Sequence, residues 1–447
     1  MLLAAGVLFI GACGSGNDAS PPASATPSPT PARSGPTAAP GPGVTAAQIT
    51  LGMTNDLTGS GDTPYAAITL AMQAYLRKVN AEDDGVCGRD LVLATEDDGY
   101  SPVLALEKTK LLVEQTGVLA MAGGLGTEAQ QGVAAYLNDP NADGDISDGV
   151  PDIFVSSAWS GWADVARYPW TIGYIPDYFT DGVVLGRYVS EKLAGKKAGI
   201  IYSDDAMGKD YLAGLEAGLT DKALLVAKYA FPLDAANLAD QITRTKADGA
   251  EVVLIAAVPE MTALAITEAE TQQFAPRWLF SYTNAPSNLA SRLGGGTTAN
   301  QLLAGFQRLD GAVSTQYLLS PVEDEADEAL VEHTRILQTY QGPAVSSLTV
   351  YGQSLAELIV ETLGRSCENL TRAGIVEAAE SIADYHSSLM WPDVNVDLGD
   401  ADHRAIQSLQ PVLIHADSTV TPDGDVISAD DVAPPSSEAL TPTVAPD

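Results

Sequence analysis

The chain has 447 residues, a length that fits two or three domains, and 45% of them are hydrophobic, enough to build sizeable cores. Asp and Glu number 58 against 23 Lys and Arg, for a formal net charge of −35. A surface of that sign repels nucleic acid phosphates and anionic lipid headgroups, which argues against a nucleic acid partner and for a role in solubility.

Residues 1–10 are an almost unbroken apolar run, far short of the roughly 20 apolar residues that span a bilayer. The run closes on the small residues Gly11 and Ala12, the pattern of a secretory signal. Ile10-Gly11-Ala12-Cys13 resembles a bacterial lipobox, whose cysteine is lipidated and becomes the first mature residue. No Lys or Arg precedes the run, so the true start is expected a few codons upstream. Residues 14–43 are Pro, Ser, Thr, Ala and Gly with almost no large apolar side chain, and read as a disordered spacer. The expected location is extracytoplasmic, with a lipid on Cys13 as the sole membrane attachment. With Cys13 lipidated, Cys87 and Cys367 remain as one pair in an oxidising compartment, either a structural disulfide or two free thiols.

From residue 44 the chain alternates strand-like and helix-like stretches. Strands are expected at 49–54, 91–96, 118–122, 153–156, 198–202, 224–229, 252–256 and 278–281. Helices are expected between them at 65–80, 105–115, 128–137, 181–193, 209–219, 238–247 and 261–270. Two long helices follow at 324–340 and 346–363, and a third starts at Thr371 as N-cap. This alternation predicts an α/β fold of two units, each a parallel sheet covered on both faces by helices. An acidic, Pro-rich tail at 428–447 reads as disordered.

Two turns carry candidate binding chemistry. The one after the third strand, Gly123-Gly124-Leu125-Gly126-Thr127-Glu128-Ala129, holds a partial dinucleotide fingerprint at a strand-to-helix junction. Free N–H groups and the helix dipole there favour an anion. No acidic residue suited to a ribose follows on the next strand, so a carboxylate or amide fits better than pyrophosphate; a ligand-free glycine turn is the alternative. Thr127 adds a hydroxyl. The next strand ends in Ser156-Ser157-Ala158-Trp159-Ser160-Gly161-Trp162, where small hydroxyl residues beside exposed tryptophans suit a cleft floor.

These turns, together with Leu57-Thr58-Gly59, Pro169-Trp170-Thr171 and Tyr202-Ser203-Asp204-Asp205-Ala206-Met207-Gly208-Lys209-Asp210-Tyr211, resemble in order the branched-chain amino acid (leucine/isoleucine/valine) type of solute-binding protein of ABC importers. The similarity runs over roughly residues 45–420. It implies two αβα Rossmann-like lobes joined by three crossovers, the periplasmic binding protein type I fold, closing on a small-molecule ligand by a hinge. Lobe 1 would be 44–172 with 306–382, and lobe 2 173–305 with about 383–427. A Cys87–Cys367 bridge would then lie within lobe 1. The resemblance implies an ABC permease as partner and places an α-carboxylate against Thr127, Ser157, Ala158, Trp159 and Ser160. On lobe 2, the acidic residue that holds an α-ammonium aligns near Asn284, and the aromatic positions near Met207 and Ala257-Val258. A neutral amide pairs poorly with a desolvated ammonium, so Asp205 or Glu260 would have to compensate. The ligand implied is an amino acid or related compound with a carboxylate or amide end and an apolar or aromatic body against Trp159. Ser60 and Tyr65 are further candidates. The alternative role is a sensor of the same fold that signals to a membrane partner.

One motif is independent of that resemblance. Asp139-Pro140-Asn141-Ala142-Asp143-Gly144-Asp145 is the first half of an EF-hand-type loop, with Asp139, Asn141, Asp143 and the Asp145 carbonyl as expected calcium ligands. Position twelve is Val150, so Asp148 or Asp152 must replace the usual glutamate. The expected role is structural, and no other cofactor is expected. Catalytic sets are missing: there is no G-x-S-x-G, H-E-x-x-H or P-loop, and the four histidines, His333, His386, His403 and His415, are scattered. His333 is expected on a solvated helix face. The chain reads as a binding protein, not an enzyme.

Overall fold

A computed structural model of the chain describes residues 40–58, 65–322 and 324–436. Cys13, Ser60, the spacer up to residue 39 and the tail beyond residue 436 lie outside the described residues. The remainder forms two sheets, each with helices on both faces.

Strands β1 (Gln48–Asn55), β2 (Asp90–Asp97), β3 (Met121–Ala122), β4 (Asp152–Val155) and β5 (Thr171–Gly173) build the first sheet in the order β2-β1-β3-β4-β5. Every pairing in it is parallel. The second sheet takes β6 (Ala198–Ser203), β7 (Leu225–Phe231), β8 (Val252–Ala256), β9 (Arg277–Phe280), β10 (Val313–Gln316), β11 (Ser408–Ile414) and β12 (Val420–Pro422). Its order is β12-β11-β10-β9-β8-β6-β7, with β13 (Ile427–Ser428) also on β11. The pairing is parallel from β7 to β10 and antiparallel beyond. β8, VVLIA, is buried throughout, as a central strand covered on both faces must be.

The chain crosses between lobes three times. It leaves β5 through residues 174–177 into the helix Tyr178–Lys192, which packs on lobe 2. It returns after β10, where Tyr317 joins the lobe 1 core together with the helix Ser347–Arg365. Residues 385–406 stay with that core, and the third crossing is at Gln407, just before β11. The expected boundaries at 306 and 382 therefore move. Residues 306–316 belong to lobe 2 because β10 hydrogen-bonds β9 and β11, and 383–406 belong to lobe 1 because Val394, Val396 and Ile406 pack in its core.

Three other expectations are corrected. The tail does not begin at residue 428: Ile427 and Ser428 pair with β11, Ala429 is fully buried, and Arg187 holds the Ser428 carbonyl and the Asp431 carboxylate. The spacer ends earlier than residue 43, since the Gly41 N–H bonds the Leu370 carbonyl. His333 is buried, not solvated; its ring nitrogens meet Gln353 Oε1 at 2.8 Å and Thr349 Oγ1 at 2.9 Å. Cys87 and Cys367 are joined, Cα to Cα 5.4 Å, and tie two segments of lobe 1 that are 280 residues apart.

Lobe 2 holds its hinge helix by close packing. Tyr178–Lys192 and Ala206–Gly218 meet through Gly182, Gly186, Gly214 and Gly218. A Cβ on Gly214 would lie 2.2 Å from the Phe179 carbonyl oxygen, so the backbones touch only because side chains are absent.

Candidate ligand-binding site

The C-terminal ends of the lobe 1 strands carry the turns singled out in the sequence, where open α/β sheets place their ligands. Gly126, at φ 96°, precedes Thr127, the first residue of the helix Thr127–Asn138, so that helix's free N–H groups open at the turn. A Cβ on Gly126 would lie 3.1 Å from the Tyr100 ring, which stacks on Tyr65 with centroids 5.8 Å apart. The Ser157 hydroxyl donates to Thr127 Oγ1 at 3.0 Å and accepts from Trp162 Nε1 at 3.0 Å. Tyr178 of the hinge helix also bonds Thr127 through its hydroxyl. Ser156 bonds the Tyr351 hydroxyl. The turn at Leu57-Thr58 is pinned by Asp97, whose carboxyl the Thr58 hydroxyl holds below its ordinary range.

Thr127 and Ser157 are thus brought together, while the other predicted residues take different roles. Trp159 and Trp162 are 3% and 2% exposed, not open to a cleft. They stack edge-to-face with each other at 4.9 Å and against Tyr168, and Ala206 of lobe 2 packs on the same cluster. Ala158 offers its carbonyl to the Tyr178 N–H at 2.8 Å. Ser160 is buried, and its N–H and hydroxyl both donate to Asp210, at 2.9 and 2.7 Å. The cavity beside Ser157, Trp159, Trp162, Asp177 and Arg404 measures only ≈ 10 Å³, room for about one water and too small for a solute.

On lobe 2, Asp205 caps the helix Ala206–Gly218: its Oδ1 accepts from the Gly208 N–H at 2.9 Å and from the Ser203 hydroxyl at 2.6 Å. Asn284 is fully buried, with its Nδ2 on the Ala257 carbonyl at 3.0 Å and its Oδ1 without a hydrogen-bond partner among the described residues. Glu260 is exposed, and Asp204 pairs with Lys209 at 3.2 Å. Asp181 sits deeper, accepting from the hydroxyls of Thr315 at 2.6 Å and Tyr211 at 2.7 Å. Burial lifts its carboxyl to about 6 against those bonds.

The sequence reading passed over Asp210, although it lies inside a quoted motif. Its signal was its place on the four-residue stripe Ala206, Asp210, Gly214, Gly218, the only group of that stripe that ionises. His403, expected only as one of four scattered histidines, is buried, with its Nδ1 on the Thr171 carbonyl at 2.9 Å and its Nε2 on Glu380 at 3.1 Å.

The expected calcium loop forms the turn that its first half encodes. Asp139 accepts from the N–H groups of Asp143 and Gly144, Asp143 from Asp145, and Asp145 from Ser147, while Asn141 Nδ2 donates to Asp148 at 3.0 Å. Val150 is fully buried, and Asp152 lies within β4, so neither reaches the loop as a ligand. Among the described residues no three His, Cys, Asp or Glu side chains converge as a metal site.

The sequence of residues 48–418 matches the family model for a periplasmic binding protein. The chain belongs to the periplasmic binding protein family. It is a solute-binding protein of extracytoplasmic type and not an enzyme. Among the described residues no helix is long and apolar enough to cross a membrane. Solved structures share the fold. A possible leucine/isoleucine/valine-binding protein from Rhodopirellula baltica SH 1 matches with a TM-score of 0.66 at 20% identity, over 85% of this chain and 97% of that one. A fatty acid ABC transporter substrate-binding protein from Thermomonospora curvata gives 0.67 at 21%, over 89% and 97%. A branched chain amino acid ABC transporter protein from Thermus thermophilus, with bound valine, gives 0.67 at 17%, over 86% and 97%. None of the curated proteins matches this periplasmic binding protein's sequence.

Proposed function

We propose that the chain captures a small solute with a carboxylate or amide end and an apolar or aromatic body, and delivers it to an ABC importer. A lipid on Cys13 would hold it at the membrane. The observation that carries this reading is the N-terminus of the helix Thr127–Asn138, which has no side-chain cap, so that its free N–H groups form a neutral donor cradle for an anionic or amide group, beside the Thr127 hydroxyl that Ser157 holds at 3.0 Å. The stacked Tyr65–Tyr100 pair flanks the cradle through the Gly126 contact and supplies an apolar wall. Fatty acids and valine, the solutes associated with two of the structural relatives, share a carboxylate and differ in the ammonium. At the strand ends of lobe 2, Asp204 and Asp205 are tied to other groups and Asn284 is neutral, which favours a ligand without an α-ammonium.

A thermal-shift screen of the chain from Pro40 onward tests this with α-amino acids, aliphatic and aromatic carboxylates, amides and ureas. A ligand at a hundred times its dissociation constant adds about 2.7 kcal/mol. Hits are expected among carboxylates or amides, and Thr127→Val is expected to abolish them. Hits confined to α-amino acids would overturn the lobe 2 part of the reading. Running the screen with calcium and with chelator also tests a structural calcium at Asp139, Asn141, Asp143, Asp145 and Asp148, which requires those side chains to turn inward together.

A further inference from the structure

Asp210 belongs to a lobe 2 helix, yet among the described residues its carboxyl hydrogen-bonds only a lobe 1 loop. Ser160 opens the one-turn segment Ser160–Ala163 after β4, and its N–H meets Asp210 Oδ2 at 2.9 Å while its hydroxyl meets Oδ1 at 2.7 Å. Both residues are buried, Asp210 completely and Ser160 to 1% exposure. A carboxyl gripped at both oxygens by one serine reproduces the way a serine holds a free carboxylate ligand, except that the carboxyl here is part of the chain.

The surroundings make the contact a matter of lobe position. On the Asp210 stripe the neighbours are Ala206 and Gly214, which have no reach, so the carboxyl is the group of that stripe able to span to the loop. The helix that carries it is locked to the hinge helix by the Gly182–Gly214 approach and cannot shift alone. The same lobe 1 loop also gives its Ala158 carbonyl to the Tyr178 N–H at the start of the hinge helix and contributes Trp159 to the cluster on which Ala206 packs. Parting the lobes would break both Ser160 bonds and return a buried carboxyl to water; bringing them together remakes both. Three residues before Ser160 is Ser157, so the bond also fixes the loop that presents the Ser157–Thr127 hydroxyls.

We infer that Asp210 is the closure residue of this protein: it clasps Ser160 across the lobe interface, so that the closed form is held by the chain's own carboxyl and not by the solute alone. The inference rests on the two-lobe fold and is independent of which solute is carried. It also withdraws Ser160 from the ligand and leaves the anionic end to Thr127 and Ser157.

Small-angle X-ray scattering of the full, ligand-free chain reads the lobe opening directly. Asp210→Ala and Ser160→Ala are each expected to raise the radius of gyration and broaden the distance distribution, with the double variant no more open than Asp210→Ala alone. Should Asp210→Ala fail to fold, Ser160→Ala together with Asp210→Asn reads the same contact with smaller changes of volume. A fall in melting temperature with scattering identical to the wild type would mean that Asp210 is only a packing residue, and would overturn the inference. So would opening in the Asp210 variants that Ser160→Ala does not reproduce. Solute binding enters neither readout, so a failed ligand screen and a failed clasp are separate results.

Discussion

Asp152 offers a direct test of how this fold treats buried charge. It opens β4, is 1% exposed, and its Oδ2 has no hydrogen-bond partner among the described residues. Burial alone pushes its carboxyl from 3.8 up to about 7. Between those values the unfolded chain has released a proton that the folded chain still holds. Stability attached to this group is therefore full below pH 4 and is lost as pH rises toward 7. At about 1.4 kcal/mol for each pH unit between the two values, the loss approaches about 4 kcal/mol at neutral pH. Asp152→Asn keeps the shape and removes the ionisation. The variant is expected to melt on the order of 10 °C above the wild type at pH 7.5, taking about 2–4 °C per kcal/mol for a domain of this size, and close to it at pH 4. Asp181 and Asp210, pushed up to about 6 and about 8 mainly by burial, give the wild type the same sign of pH dependence, and the difference between the two proteins cancels them. The assay is paired differential scanning calorimetry from pH 4 to 8.5. A melting difference that stays flat across that range would refute the argument, because it would place the Asp152 carboxyl in water or against a cation.

Two further outcomes follow from packing. Replacing Cys87 and Cys367 by Ser opens a crosslink between positions 280 residues apart, and the loss expected is roughly 2–4 kcal/mol, read as the fall in urea midpoint of the lobe 1 transition with lobe 2 unaffected. Gly214→Ala drives a methyl against the Phe179 carbonyl and the Gly182 Cα. It is expected to cost roughly 1–3 kcal/mol, measured by the same titration, and a neutral result would mean that the two helices do not approach as closely as described.

Much of the fold was legible because its signals are local. Apolar runs of four to eight residues separated by amphipathic stretches give β1, β2, β4 and β6 to within about two residues, as periodicity arguments should. β8 falls where it was expected, at 252–256. Thr371 was legible as a cap because a side-chain oxygen three residues before a free N–H is a contact within one turn; it accepts from the Gly374 N–H at 3.0 Å. What local pattern could not show is which lobe a segment joins. Residues 313–316 form one short strand whose place is decided by pairing with Leu279 and with 410–413, partners more than thirty residues away in both directions. His333 looked solvated because its helix carries Glu328, Glu332 and Arg335, yet the ring lies on the face turned to Thr349 and Gln353 of the next helix. Trp159 and Trp162 looked exposed because Ser and Gly surround them; those small residues instead let two indoles and Tyr168 pack on one another, and a Cβ at Gly161 would lie 2.3 Å from the Trp159 ring.

The candidate site divides along the same line. Thr127 and Ser157 were legible because each lies in the turn that follows a strand, and parallel strands deliver their C-terminal ends to one edge whatever the rest of the chain does. The lobe 2 half was not, because a carboxylate's role depends on what competes for it. Asp205 stands at the right strand end, but the unbonded N–H of Gly208 and the Ser203 hydroxyl reach its Oδ1 first, and an N-cap bond once made is kept at a cost of about 1 kcal/mol to break. Asp210 is five residues further on, where nothing on its own helix satisfies it, and the nearest donors belong to the other lobe. Under the proposed function a solute would therefore find Asp205 and Asp210 already occupied, and discrimination among solutes would fall to the shape of their apolar body against Tyr65 and Tyr100 more than to a charge on lobe 2.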